Sequence, residues 1–268
     1  MIKERNADIY EAFAKEGIYC LGIARLSELR VIKEYLLPKD AKSAIVWLLP
    51  YNVGRREGNI SLYARTLDYH LISSEISNRI IDNLKKLYPE NSFYCFADHS
   101  PIAEVTAAAS LGLGVIGENH LLINERYGSF VFVSTIFSDI EADFDELHEP
   151  EKCPSCGACL TACPTGALKG ADMGACLSGI NQKKGALTDD ETLLIKQSNM
   201  AWGCDVCQLA CPLNKKAEAT PLKLFYEDRI EFATSELIES MTDEEFKRRA
   251  FSFRGKDPIL RNLKILGK

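Results

Sequence analysis

CPSCGACLTACP at residues 153–164 and GCDVCQLACPLN at residues 203–214 decide how the rest of the chain is read. The first stretch sets Cys153, Cys156, Cys159 and Cys163 in the pattern CxxCxxCxxxC and closes on Pro164. The second supplies Cys204, Cys207 and Cys211, closing on Pro212, and Cys176 stands between the two. Soft thiolates are the usual protein ligands of iron–sulfur clusters, and a four-iron cluster takes four of them. Eight of the ten cysteines therefore divide into two complete sets, and two 4Fe-4S clusters are the simplest assignment.

In two-cluster ferredoxins the fourth cysteine of a run crosses to the other cluster, because the chain turns away after wrapping three sulfurs around the first. That logic assigns Cys153, Cys156, Cys159 and Cys211 to one cluster. Cys163, Cys204 and Cys207 go to the other, and Cys176 completes the set because the second run is one cysteine short. Structural zinc fits the spacing less well, since zinc hooks are paired CxxC units and a three-cysteine run ending in xxxCP has no tetrahedral logic. Disulfides suit an oxidising compartment. The opening MIKERNADIYEAF is too polar for a secretory signal and no apolar run reaches membrane-spanning length, so the expected location is the cytoplasm.

The chain has 268 residues, 46% of them hydrophobic, enough for one or two domains with a real core. Its formal net charge of −6 argues against broad electrostatic binding of nucleic acid, which works by neutralising phosphates with Lys and Arg. Ahead of the cysteines the pattern alternates helix and strand. Residues 6–16 carry Ile9 and Phe13 one turn apart and end at Gly17, predicting a helix, with a strand over 18–24. Ser27 is placed to cap a short helix carrying Leu29, Ile32 and Leu36 and stopping before Pro38. AIVWLLP (44–50) reads as a strand buried on both faces, followed by a polar loop.

Three-to-four spacing of Leu67, Leu71, Ile76, Ile80, Leu84 and Leu87 predicts a long helix over 61–88. FYCFA (93–97) is the next strand and runs into Asp98, His99, Ser100 and Pro101 before a helix of small residues, so Asp98 is read either as a helix cap or as a functional acid. GLGVIGENH (112–120) has the glycines for close backbone approach but follows a helix, which excludes a dinucleotide-binding fingerprint. YGSFVFVSTIF (127–137) reads as a buried strand. The acidic SDIEADFDELHEPEK then marks a boundary, giving an α/β domain over 1–145, a ferredoxin-like double-cluster module over 146–215 and a helical tail over 216–268. In the tail Thr242 and Glu245 make a capping box, Pro258 opens a last helix, and the basic residues from Lys247 to Lys264 read as a solvated face.

Two clusters alone need few residues beyond their ligands, so the α/β half is expected to hold a second redox centre or a reducible ligand. Taken together, YARTLDYH (63–70), FADHSPI (96–102), residues 112–141 and both cysteine runs resemble epoxyqueuosine reductase, and MTDEEFKRRAFSFRG (241–255) is similar to the segment before that family's tRNA-binding helical repeats. The resemblance implies a cobalamin-binding α/β sandwich similar to that of reductive dehalogenases, two 4Fe-4S clusters, and reduction of epoxyqueuosine on tRNA. It implies an external electron donor of ferredoxin or flavodoxin type. Asp98 occupies the position of the family's proton donor, a role for which a carboxyl buried beside an apolar corrin would be suited. His99 replaces the serine of that motif. Tyr63 and Asp68 lie in the part resembling YARGRDYH, Gly117, Gly128 and Ser129 in loops implied to contact the corrin, and Ser178 follows Cys176 as in the family's CIS motif. Two cations and an aromatic of the family pattern are replaced, at Val105, Val115 and Glu118. The sequence ends at Lys268, where the helical repeats would begin, which leaves open a small-molecule substrate. The alternative function is a cobalamin-free electron-transfer protein.

Overall fold

The computed structural model describes residues 6–54, 56–170 and 173–268. The first five residues of the polar opening stretch lie outside this range. The strands are β1 (Leu21–Arg25), β2 (Ser43–Pro50), β3 (Phe93–Ala97), β4 (Val115–Ile116), β5 (Leu122–Ile123) and β6 (Val131–Ser138). The first, second, third and sixth form one antiparallel sheet in the order β1-β2-β6-β3, and β4 and β5 pair as a small hairpin. All eight residues of β2 are buried. Their alternation sends Ile45, Trp47 and Leu49 to one face and Ala44, Val46 and Leu48 to the other, as a period of two requires.

On the first face lie α1 (Ala7–Ala14) and α2 (Tyr69–Leu87), which contribute Ile9 and Phe13, then Ile72, Ile76, Ile80 and Leu84. The second face is covered by α3 (Glu104–Ser110), whose Ala107, Ala108 and Ala109 let the helix approach the sheet closely. The result is the expected α/β sandwich, with an antiparallel sheet that is nevertheless covered on both sides.

The cysteine-bearing segment is built from short helices: α4 (Ala158–Ala162), α5 (Ala167–Gly170), α6 (Leu177–Asn181), α7 (Asp189–Ser198) and α8 (Val206–Ala210). The tail adds α9 (Ser235–Ser240), α10 (Asp243–Lys247) and α11 (Lys256–Leu266). The capping box at Thr242 and Glu245 is formed, and Pro258 sits in the first turn of α11. Ile238, Phe246, Phe251, Ile259 and Leu263 of the tail pack on Ile60 and Ala64 of the α/β half and on Ala201 and Trp202 of the cysteine segment. One core thus joins all three parts of the chain. The tail's basic residues are partly structural: Arg249 reaches Asp228, and Arg261 donates to the carbonyls of Lys183 and Gly185.

The acidic linker is strapped to the sandwich. The Asp145 carboxylate accepts the Ile23 amide at 2.8 Å, and Ile116 and Cys153 bond in sequence across Glu151 and Ile116. Burial and the neighbouring Asp145 push the Tyr10 phenol up to about 12.

Four sequence expectations are corrected. No α-helix follows Ser27; residues 26–36 form two single 3₁₀ turns, because the amides of Ile32 and Lys33 are drawn to the Pro101 carbonyl and Val31 pairs with Ile102. The long helix begins at Tyr69 instead of residue 61. Arg65, 1% exposed, donates to the carbonyls of Arg56, Glu57 and Ile60, while Ser61 and Asp68 bond to Trp202 and Arg248, so residues 61–68 are held as a loop. Asp98 caps nothing: α3 starts six residues later behind Ala103. The strand read from residue 127 begins at Val131, after a turn at Gly128.

Candidate active site

Helices α4 and α8 lie against each other, and each ends in a cysteine in an extended conformation followed by proline. Cys163 has φ −60° and ψ 116°, Cys211 φ −70° and ψ 122°. Proline cannot continue a helix, so the last cysteine of each run is carried away from those before it. Cys153, Cys156, Cys159 and Cys211 accordingly line one small cavity of about 60 Å³. Cys163, Cys176, Cys204 and Cys207 all line a second, larger cavity of about 670 Å³.

Among the described residues no three His, Cys, Asp or Glu side chains converge as a site for a single metal ion. An iron–sulfur cube makes a different demand, with one thiolate at each of four separated irons. Burial pushes the thiol of Cys204 up to about 12 and that of Cys207 up to about 11.

The residues between the second-run cysteines fix the run to the sandwich. Buried Asp205 accepts the Ser61 hydroxyl at 2.7 Å and the Leu62 amide at 2.8 Å. Gln208 donates to the Tyr51 hydroxyl and to the Ser129 carbonyl. Asn214 accepts the Ser129 amide at 2.8 Å and donates to the Ser129 hydroxyl. Gly203, at φ +70°, passes so close to Ser61 that a Cβ there would stand 2.3 Å from the serine Cβ. These contacts set the cysteine wall of the larger cavity opposite the sheet.

Across that cavity stand Tyr63, Asp68, Tyr69, His70, Asp98 and Phe132. Asp68 caps α2 by accepting the His70 amide, and its carboxylate also meets His70 Nδ1 at 2.7 Å. That hydrogen bond raises the His70 pKa against the opposing effect of burial. His70 Nε2 is 3.8 Å from Asp98 Oδ2, and the Tyr69 hydroxyl donates to the same oxygen at 2.9 Å. Burial, then the Asp98 charge, raises the Tyr69 pKa, so the phenol stays a donor. The Tyr69 ring lies on Phe132, centroids 3.9 Å apart and planes within 9°. Tyr63 accepts from Trp202 Nε1 at 3.1 Å, and burial pushes its phenol up to about 12.

Of the residues singled out from sequence, Tyr63, Asp68, Asp98, Ser129 and the four cysteines of the second set share this cavity. Asp98 is not buried as expected: its side chain is 70% exposed, on a backbone at φ +62°. His99 turns away to Lys33 Nζ at 3.2 Å. Gly117 and Glu118 line the small cavity with the first cysteine set. Gly128 is pressed on Asn214, whose Oδ1 would stand 2.3 Å from a Cβ there. Ser178 accepts from Gln182 and is not among the cavity's lining residues, and Val105 packs in the core under α3. Sequence reasoning missed Tyr69, His70 and Gln182 as lining residues. The pairing of Asp68 as a cap with His70 two positions on was the available signal.

Residues 152–214 match the family model described as a 4Fe-4S double cluster binding domain. An epoxyqueuosine reductase of Gloeobacter violaceus is 30% identical over 231 residues, covering 80% of this chain and 71% of that protein. The chain belongs to the epoxyqueuosine reductase family. A second epoxyqueuosine reductase, from Pseudomonas aeruginosa, is 33% identical over 74% of this chain and 54% of its own length. The chain spans roughly half to three fifths of the length of the first relatives it matches. A crystal structure of an epoxyqueuosine reductase with an epoxyqueuosine-modified tRNA stem loop superposes with a TM-score of 0.79, at 27% identity, covering 97% of this chain and 80% of that one. A catabolic reductive dehalogenase shares the fold, with a TM-score of 0.53 at 15% identity over 97% of this chain and 35% of that one. Among the described residues no helix is long and apolar enough to cross a membrane.

Proposed function

We propose that this epoxyqueuosine reductase family member is a cytoplasmic, cobalamin-dependent iron–sulfur reductase that removes the epoxide oxygen of epoxyqueuosine in tRNA. One observation carries the reading: four cysteines and a proton-bearing cluster of Asp98, Tyr69 and His70 face each other across one cavity. Cys153, Cys156, Cys159 and Cys211 hold one cluster, and Cys163, Cys176, Cys204 and Cys207 hold the other, in keeping with the two cavities that these sets line. An external ferredoxin or flavodoxin supplies electrons to the pair.

The larger cavity suits a flat, apolar macrocycle fringed with amides. Leu121, Val131, Phe132, Leu177 and Phe253 offer apolar surface, while Tyr63, Asn119 and Gln182 offer polar atoms at its edge. When bound, a corrin would supply a cobalt that collects single electrons and delivers them to the substrate. Removing an epoxide oxygen as water takes two electrons and two protons. Asp98 is the residue that gives a proton to that oxygen. Tyr69, donating to Asp98 Oδ2, and His70 beside it hold the carboxyl toward the cavity.

The test uses anaerobically reconstituted protein. The reading expects about eight irons and one corrin per chain after gel filtration, and turnover with epoxyqueuosine-containing tRNA. Asp98→Asn keeps iron and corrin while turnover falls about 10²- to 10⁴-fold. Absence of retained corrin supports a plain electron-transfer protein instead, and an unchanged rate in the Asn variant removes Asp98 from the chemistry.

A further inference from the structure

Among the described residues Asn119 alone lines both cysteine cavities. It stands in the partition between the set Cys153, Cys156, Cys159 and Cys211 and the set Cys163, Cys176, Cys204 and Cys207, and it is only 5% exposed. Its amide oxygen is occupied by the protein: Oδ1 accepts the Leu121 amide at 3.4 Å, and a Cβ added to Gly117 would stand 2.3 Å from it. The nitrogen is not. Asn119 Nδ2 is buried and has no hydrogen-bond partner among the described residues. None of the other buried side-chain atoms in that condition belongs to a residue of either cavity.

A buried N–H without an acceptor is costly, and native structures rarely keep one. The walls around Asn119 say which acceptor it is built for. A corrin would reach the larger cavity only, whereas Asn119 borders both, and what the two cavities share is cysteine sulfur. The sulfurs of an iron–sulfur cluster are anionic acceptors, and hydrogen bonds to them set the cluster's potential. Reduction adds one negative charge to the cluster, so a donor at its sulfur favours the reduced form.

We propose that Asn119 tunes the cluster pair: Nδ2 donates a hydrogen bond to cluster sulfur at the partition and raises the reduction potential of the cluster it meets. The proposal rests on the two-cluster reading above and deepens it, naming the side chain that governs the step between the clusters. An electron entering at the small cavity crosses this partition to reach the larger one, so the difference in potential across it decides how far that transfer runs.

The experiment is a redox titration of anaerobically reconstituted protein, followed by electron paramagnetic resonance on samples matched for iron. Asn119→Leu keeps the branched outline and removes the donor. The equilibrium constant for one-electron reduction of one cluster is expected to fall about tenfold, a potential lower by about 59 mV, while the other step stays in place. Asn119→Ala reads the same loss should the leucine variant fail to take up both clusters. Adding Asn119→Leu to Cys176→Ala then shows which cube is met: an unmoved potential in the remaining cluster assigns the bond to the set containing Cys176, and a lowered one assigns it to the other. Resonance Raman supplies a readout of the bond itself, since Fe–S stretching bands that shift in D2O should shift less without Asn119. Wild-type potentials for both steps in an Asn119→Leu protein with its full iron overturn the proposal, and unmoved potentials with weaker corrin retention assign the amide to the corrin instead. Wild-type protein with about four irons refutes the two-cluster reading itself. A lowered potential in a protein that turns over no epoxyqueuosine tRNA refutes the proposed substrate and leaves the role of Asn119 standing.

Discussion

Gly203→Ala is the substitution whose cost the structure sets most directly. Gly203 has φ +70°, and an added Cβ would lie 2.3 Å from Ser61 Cβ and 2.9 Å from its hydroxyl oxygen. Left-handed backbone costs an alanine ~1–2 kcal/mol. Forcing the serine back adds ~1–3 kcal/mol of overpacking, and it also pulls the Ser61 hydroxyl from Asp205. Against this, alanine narrows the unfolded ensemble by ~0.4–1 kcal/mol. The net expectation is a loss of about 3 kcal/mol. Gly112 provides the control, because its φ is +71° and nothing lies within 4 Å of the Cβ it would gain. Gly112→Ala meets only the backbone and unfolded-state effects, for a loss of about 1 kcal/mol. The assay is anaerobic urea unfolding followed by circular dichroism on variants matched for iron content. With a slope of ~3 kcal/mol/M, the midpoint falls by ~1 M for Gly203→Ala and by ~0.3 M for Gly112→Ala. Equal losses in the two variants would refute the steric part of the reasoning, and wild-type stability in Gly203→Ala would refute all of it.

Cys176→Ala should bring iron from about eight to about four per chain and leave one cluster's spectrum intact; unchanged iron would strike this cysteine from the ligand set. Tyr69→Phe keeps the stack on Phe132 but loses the bond to Asp98, so turnover with the tRNA substrate should fall about 3- to 10-fold, and a wild-type rate would show that the phenol does not hold the acid.

Much of the site could be read from residues whose chemistry is tied to spacing. The two cysteine sets drawn from the CxxCxxCxxxCP logic line two separate cavities, since the prolines that end each run also determine where its last sulfur goes. Strands β2 and β3 were legible for a similar reason: a short apolar run has few ways to hide. What escaped was decided at a distance. The Leu67 and Leu71 spacing is helical as far as it goes, but Arg65 and the bonds to Trp202 and Arg248 hold residues 61–68 in a loop. Ser27 looks like a cap only until the Pro101 carbonyl draws the next amides away. Asp98 was found through the resemblance, yet its exposure and left-handed backbone depend on tertiary contacts that no local pattern reports.

The hydrogen bonds from Asp205, Gln208 and Asn214 to Ser61, Tyr51 and Ser129 carry a consequence for how the protein is assembled. The residues that lock the second cysteine run to the sandwich alternate with the sulfurs themselves, so thiols and docking contacts share the same dozen residues. The same segment supplies one wall of the larger cavity. The sulfurs of the second run and the contacts that seat them against the sandwich are therefore one unit of sequence, and a change in either moves the other.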